Sequence, residues 1–309
     1  MERNALERQF TAVSLLRFAL PNIVMMVFLS LYTIVDGMFI SRYVGTLALS
    51  AVNMSYPLTS LQLAMGIMLG TGGSAVIARE LGEGKTDQAR QDFTFVVAAA
   101  ASAGTVCALA GNAVLPWLLE VLGTSSAQMP YCLTYTRILL WFAPGMFLQT
   151  VFQVLFVTAG RPGLGLASTA VGGVANLVLD ALFMGPMGWG ITGAAVATGI
   201  GYCVPAVTGL VYFSLEKQGP LRFTRLAARW RMLAGACGNG SSEMVSNIAV
   251  AVTTFLFNVL FLRYWGEDGV AAITIVMYFQ FVFSAVDLGF SMGVAPVVSY
   301  KFGAGDTDQ

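Results

Sequence analysis

Apolar positions in this chain come in long, nearly unbroken runs, separated by short polar segments. Eight runs of about 20 residues or more lie near 13–40, 51–78, 93–116, 131–158, 165–185, 191–213, 234–262 and 270–298. About 20 apolar residues are needed to cross the hydrocarbon core as a helix. None of the runs shows the apolar/polar alternation of a barrel strand, so helices are the expected spanning form. An even number of spans puts both ends on one side. Of the 16 Lys and Arg, only Arg42, Arg137 and Arg263 fall on one side of this arrangement. The other thirteen fall in the N-terminal segment, the loops at 79–92, Arg161 and 214–232, and the C-terminal tail. Cytoplasmic loops are the Lys/Arg-rich ones, so both termini are expected in the cytoplasm.

Composition sharpens this reading. Of 309 residues, 57% are apolar and 10% charged, and mean hydropathy is +0.74. That leaves too little polar surface to coat a soluble domain. Sixteen basic and sixteen acidic residues cancel, so no net field points to nucleic acid. Histidine is absent, which removes His-based zinc sites and Ser-His or Cys-His catalysis and argues against an enzyme. Cys107, Cys132, Cys203 and Cys237 have no metal-ligand spacing and read as small apolar residues. The run after Arg3, Arg8 and Arg17 is too long for a signal-peptide core and reads as a retained first span. The segment 221–231 carries four arginines and reads either as a surface helix on anionic lipid or as a solvated linker.

An internal repeat organises the chain. Residues 82–88 read GEGKTDQ and residues 303–309 read GAGDTDQ, an offset of 221. At the same offset Arg42, Tyr43 and Gly45 fall on Arg263, Tyr264 and Gly266, Ala51 on Ala272, Ala64 on Ala285, Gly72 on Gly293 and Val76 on Val297. Spans one and two thus recur six spans later in the same orientation, which defines a parallel repeat about an axis along the membrane normal. The expected fold is an all-α polytopic membrane protein. Residues 1–213 form a complete six-helix N-lobe, 214–232 a cytoplasmic linker, and 233–309 the first two helices of a C-lobe. A second unit begun but not finished implies a twelve-span parent, about four helices longer. Gly84-Lys85-Thr86 has the ending of a phosphate-binding loop, but Arg79 stands where that pattern needs glycine. A tight turn is the better reading, and no nucleotide partner is expected.

Ionisable groups inside apolar spans are costly and mark candidate sites. Asp36 in span one and Asp180 in span five stand out, and Asn176 precedes Asp180 by one helical turn on the same face. Burial favours a neutral carboxyl and a nearby cation favours a charged one, the physical basis of a proton or sodium switch. Helix capping for Asp36 and interhelical hydrogen bonding for Asp180 are the structural alternatives. Asp287 in span eight could face a central cavity. Glu243, near the start of span seven, reads as a helix N-terminal charge, and Glu120 and Arg137 as solvated groups at the outer side. Pro21 marks a bend in the first helix.

The run from Pro21 to Asp36 and on through 37–45, the Gly82-Glu83-Gly84 loop, Gly160-Arg161-Pro162, Asn176 with Asp180, and the segment from Gly193 to Thr198 resemble the multidrug and toxic compound extrusion (MATE) family over essentially the whole chain. The resemblance implies a two-lobed, twelve-helix antiporter of a bacterial plasma membrane. Such a protein expels small amphipathic, often cationic, compounds in exchange for H+ or Na+. No cofactor is implied, and no metal beyond Na+ at the acidic cluster. It also implies a cation site at Asp36, Asn176, Asp180 and Thr198, with Pro21 as the bending point. Met25, Met26, Met65 and Met68 could supply an adaptable apolar lining. A lipid-linked oligosaccharide flippase and a non-transporting remnant are the alternatives.

Overall fold

The computed structural model describes residue 6 and residues 8–306. Arg3 and the last three residues of the repeat, 307–309, lie outside the described residues, as do the side chains of Arg263 and Ala272. The described chain is all helix and connections. The elements are α1 (Ala12–Tyr43), α2 (Thr46–Gly82), α3 (Thr86–Val121), α4 (Met129–Trp141), α5 (Ala143–Thr158), α6 (Pro162–Met184), α7 (Gly190–Leu215) and α8 (Trp230–Gly303). Among the described residues six helical stretches are long and apolar enough to cross a bilayer, and the α4–α5 pair makes a seventh.

That pair is the expected span 131–158, and it is bent by 57°. The break falls at Phe142, just before Pro144, whose ring has no N–H to donate and clashes with the carbonyl four residues back. α1, in contrast, runs through Pro21 without interruption.

α8 is helical over 74 residues, yet both its ends lie on α2. A Cβ on Gly240 would meet the Met68 carbonyl, and one on Gly303 the Arg79 carbonyl. A straight helix would hold Gly240 and Gly303 roughly 95 Å apart, whereas Met68 and Arg79 are separated by roughly 16 Å along α2. The helical path therefore folds back on itself, giving two limbs where the sequence predicts spans seven and eight. Its start at Trp230 corrects one expectation: Glu243 lies more than three turns inside the helix, half-buried, and is no N-terminal charge.

The repeat is visible in backbone hydrogen bonds. At the end of α2, Gly84 N–H donates to Leu81 and Lys85 N–H to Glu80. At the end of α8, Gly305 N–H donates to Phe302 and Asp306 N–H to Lys301, the same bonds 221 residues on. Gly84 (φ +77°) and Gly305 (φ +73°) supply the left-handed residue that closes each helix end. Residues 82–86 are a helix-ending turn.

The connection between α7 and α8 also departs from expectation. Residues 216–229 carry no helix and lie as a strap along α3. Gly219 and Pro220 break the helix, and their carbonyls accept from Arg90 Nη2 and Nε at 3.2 Å each. Thr224 N–H donates to Thr94 Oγ1 at 3.0 Å. Leu221 is buried in the main apolar core, and Phe223 sits 5.1 Å from the Phe93 ring. At the head of the strap, the Glu216 carboxylate accepts from the N–H groups of Gln218 and Gly219. Those bonds hold its pKa below the ordinary value. The turn therefore keeps its charge above the usual carboxylate range and loses that support only as pH falls through the lowered pKa.

Arg229 closes the strap. Its Nη1 lies 2.6 Å from Asp92 Oδ2 and 3.6 Å from Glu80 Oε1, and Gln88 Nε2 donates to Glu80. Asp92 is fully buried. Arg229→Ala strands that carboxylate, which costs about 3–5 kcal/mol for a fully buried pair and about 2 kcal/mol for a guanidinium one-third exposed, as here. The expected result is a lower thermal midpoint for Arg229→Ala, partly restored when Asp92→Asn is added. Equal midpoints for Arg229→Ala and the unsubstituted protein would show the ion pair to be dispensable.

Candidate functional site

Three helices bring the polar groups together, and glycines permit the approach. α1 and α6 meet where a Cβ on Gly173 would touch Phe28 Cε1 at 2.5 Å and Tyr32 Cδ1 at 3.4 Å. From that contact, one to two turns further along each helix lead to Asp36 on α1 and to Asn176 and Asp180 on α6. α6 and α7 cross at Gly172 and Gly201, where a Cβ on Gly172 would lie 2.6 Å from the Gly201 carbonyl. The crossing seats Asn176 against α7, with its Cβ 3.1 Å from the position a Cβ on Gly201 would take. Thr198 lies on the next turn of α7, toward its start.

Asp36, Asn176, Asp180 and Thr198 are all buried, Asp180 completely. The Asp36 and Asp180 carboxyls face one another inside the N-lobe. Yet Asp36 Oδ1, both Asp180 oxygens and both polar atoms of the Asn176 amide have no partner of good hydrogen-bond geometry among the described residues, although Asp180 lies within interaction range of both Asp36 and Asn176. Buried polar atoms left this way are costly, and two facing carboxylates repel unless a proton, a cation or water lies between them. Thr198 donates its hydroxyl to the Ala194 carbonyl at 2.9 Å, so its oxygen lone pairs remain available as acceptors. The cluster is thus a set of oxygens fed by two carboxyls, suited to a proton or a hard monovalent cation. Among the described residues no group of three His, Cys, Asp or Glu is placed to hold a metal ion. All four cysteines are free thiols.

Tyr32, Tyr135 and Tyr202 surround the acid pair, close enough to interact electrostatically with Asp36. The sequence reading missed all three. Tyr32 lies one turn before Asp36 and Tyr202 one turn after Thr198, so i,i+4 spacing could have found them. Tyr135 arrives from α4 with no local signal.

Three of the other polar groups singled out in the sequence are exposed. Asp287 is exposed on α8, outside the cluster. Glu120 is exposed at the end of α3, and Arg137 is exposed within α4. Met25 and Met26 are buried with Ala285 and Met292 where α1 meets α8, so they serve a contact between the lobes. Further contacts between the lobes join Ala19, Asn22 and Ile23 of α1 to Gly289 and Gly293, and Met68, Gly72, Arg79 and Gly82 of α2 to the two limbs of α8.

Comparison with known proteins agrees with this architecture. Residues 21–182 and 244–309 match the MatE family. The multidrug export protein MepA of Staphylococcus haemolyticus is 22% identical over 291 residues, covering 94% of this chain and 64% of MepA. MepA of Staphylococcus aureus strain MRSA252 is 20% identical over 290 residues, with the same coverage. The chain therefore spans about two-thirds of the length of these curated relatives or slightly less. A MATE crystal structure in complex with MaL6 superposes with a TM-score of 0.93 at 21% identity, over all of this chain and 69% of that one. An outward-facing multidrug resistance MATE transporter gives 0.93 at 21% identity, over all of this chain and 68% of that one. A MOP-superfamily transporter from Pyrococcus furiosus gives 0.91.

Proposed function

Because this chain belongs to the MatE family, whose pattern matches more than half its length, we propose that it supplies the ion-coupling lobe of a secondary multidrug antiporter. Residues 1–213 form that lobe, the strap at 214–232 joins it to the next, and 233–309 are the first two helices of the C-lobe. The setting is a bacterial plasma membrane, with both ends of the chain in the cytoplasm.

The observation that carries this reading is the buried Asp36/Asp180 pair, with five polar atoms in and around it unpartnered. A proton or Na+ entering the cluster, held by Asp36, Asn176, Asp180 and Thr198, satisfies those atoms. It also changes the packing of α1 on α6. α1 carries Pro21 and contacts α8 at Asn22 and Ile23, so the change reaches the contact between the lobes. Drug and ion each favour one of two lobe arrangements, and that difference in binding is the coupling. The substrates are small amphipathic organic cations, in keeping with the multidrug export activity that the name of MepA declares for that protein. An adaptable methionine contact at Met25, Met26 and Met292 would be uncovered as the lobes separate.

The test is ethidium transport in proteoliposomes containing the protein, under an imposed pH or sodium gradient with no nucleotide present. Transport driven by at least one gradient is expected. Ethidium movement that ignores both gradients would refute antiport.

A further inference from the structure

The outer face of the strap has chemistry that the transport reading does not use. Lys217, Arg222, Arg225 and Arg231 lie within 15 residues, and the acid that adjoins them in sequence, Glu216, is turned onto the backbone of its own loop. Arg222 Nη1 donates to the Lys217 carbonyl at 3.0 Å, an interaction that leaves both positive charges uncompensated. Arg225 and Arg231 are exposed. Between these cations stand two large apolar side chains directed outward, Leu226 at 60% and Trp230 at 69% relative exposure.

The strap is also fixed in place. Leu221 and Phe223 point into the core, Arg90 and Thr94 hold its backbone, and Arg229 is tied to Asp92. The cationic row thus sits at the cytoplasmic ends of α2 and α3, where the hydrocarbon gives way to headgroups.

We propose that the outer face of residues 217–231 is a binding surface for anionic phospholipid, with the four cations meeting headgroup phosphates while Leu226 and Trp230 enter the acyl boundary. Anionic headgroups neutralise a charge cluster that no side chain among the described residues pairs with. Trp at the interface and cations beside it are the combination that anchors a segment there. Each cation contributes about fivefold in affinity at a charged leaflet, and the attraction weakens in high salt. The surface depends only on membrane embedding, so it stands or falls separately from drug antiport.

The experiment leaves Trp230 as the sole tryptophan, with Trp117, Trp141, Trp189 and Trp265 changed to Phe. The protein is placed in phosphatidylcholine bilayers containing 20% brominated phosphatidylglycerol or, in parallel, 20% brominated phosphatidylcholine. Stronger Trp230 quenching by the brominated anionic lipid is expected. Arg222→Gln, Arg225→Gln and Arg231→Gln combined should bring the two lipids to equal quenching, as should 1 M salt. In the unsubstituted protein in detergent, phosphatidylglycerol should raise the thermal midpoint and phosphatidylcholine should not. Equal quenching by both lipids before substitution would overturn the proposal, as would a preference that survives the triple change. An equal midpoint shift with inorganic phosphate would also overturn it, because the surface would then be a free-anion site.

Discussion

Asp180→Asn is expected to reduce gradient-driven ethidium transport by about a hundredfold while leaving the amount of folded protein unchanged. The carboxyl is fully buried and faces Asp36 and the Asn176 amide, with no hydrogen bond of good geometry to either oxygen. An asparagine keeps the shape and can pair with the neighbouring Asn176 amide, but it cannot exchange a proton or balance a sodium ion. Removing one member of a facing carboxyl pair also removes its repulsion and the cost of burying its charge. The thermal midpoint of Asp180→Asn should therefore equal or exceed that of the unsubstituted protein. Loss of transport with a retained or raised midpoint separates a coupling role from a packing role. Asp36→Asn should behave alike. Full gradient-driven transport in either variant would remove that residue from the coupling site.

The second large effect concerns the contact between the lobes. A Cβ on Gly82 would run into the Tyr300 carbonyl, and a Cβ on Gly303 into the Arg79 carbonyl. Since 82 and 303, like 79 and 300, are related by the repeat offset, each half of the contact is the copy of the other. The pseudo-twofold axis passes between these helix ends, as in the self-complementary interface of a symmetric dimer. Relief of the overlap requires the helices to move apart, because the obstructing atoms are backbone. Overpacking of this kind costs about 1–3 kcal/mol, enough to shift a two-state equilibrium about five- to 150-fold. Gly82→Ala and Gly303→Ala should each open the face of the molecule on which these helix ends lie. Cys237 follows Ala236, whose carbonyl lies against Gly72 where the first limb of α8 meets α2, about 15 Å along α2 from Gly82. With Cys107, Cys132 and Cys203 changed to Ala, maleimide labelling of Cys237 should accelerate about tenfold in either variant. Gly163→Ala, where a Cβ meets nothing within 4 Å, should leave the rate unchanged. Unaltered labelling in both Gly82→Ala and Gly303→Ala would show that this contact does not hold the lobes together.

Several of these features were readable from the chain. Apolar run length locates the membrane helices, because lipid imposes one length and one form on any crossing segment. The constant offset between Gly82 and Gly303 predicts the repeat, and the structure answers with matched turns at Gly84 and Gly305. Asp36, Asn176 and Asp180 can be picked out because polar groups in apolar helices are rare and expensive. What stays hidden depends on contacts distant in sequence. The strap reads as a basic surface segment, since nothing near Leu221 or Phe223 announces the Phe93 surface that receives them. Nothing local marks Asp92 as buried and paired, because its partner Arg229 comes from 137 residues away. Tyr135 joins the acid pair only because α4 packs on α7. The 57° break between α4 and α5 was signalled by Pro144, within a run whose apolar content alone suggests one span.

In the proposed antiport, ion binding at the Asp36/Asp180 pair competes with drug binding between the lobes. The direct measurement is ion release from the purified protein in weakly buffered detergent solution when ethidium is added, followed with a pH indicator and, in parallel, a sodium electrode. The account predicts release of one of these ions on drug addition, and no release from Asp36→Asn or Asp180→Asn. Ethidium binding of normal affinity that releases neither ion, or release that persists in both variants, would contradict it.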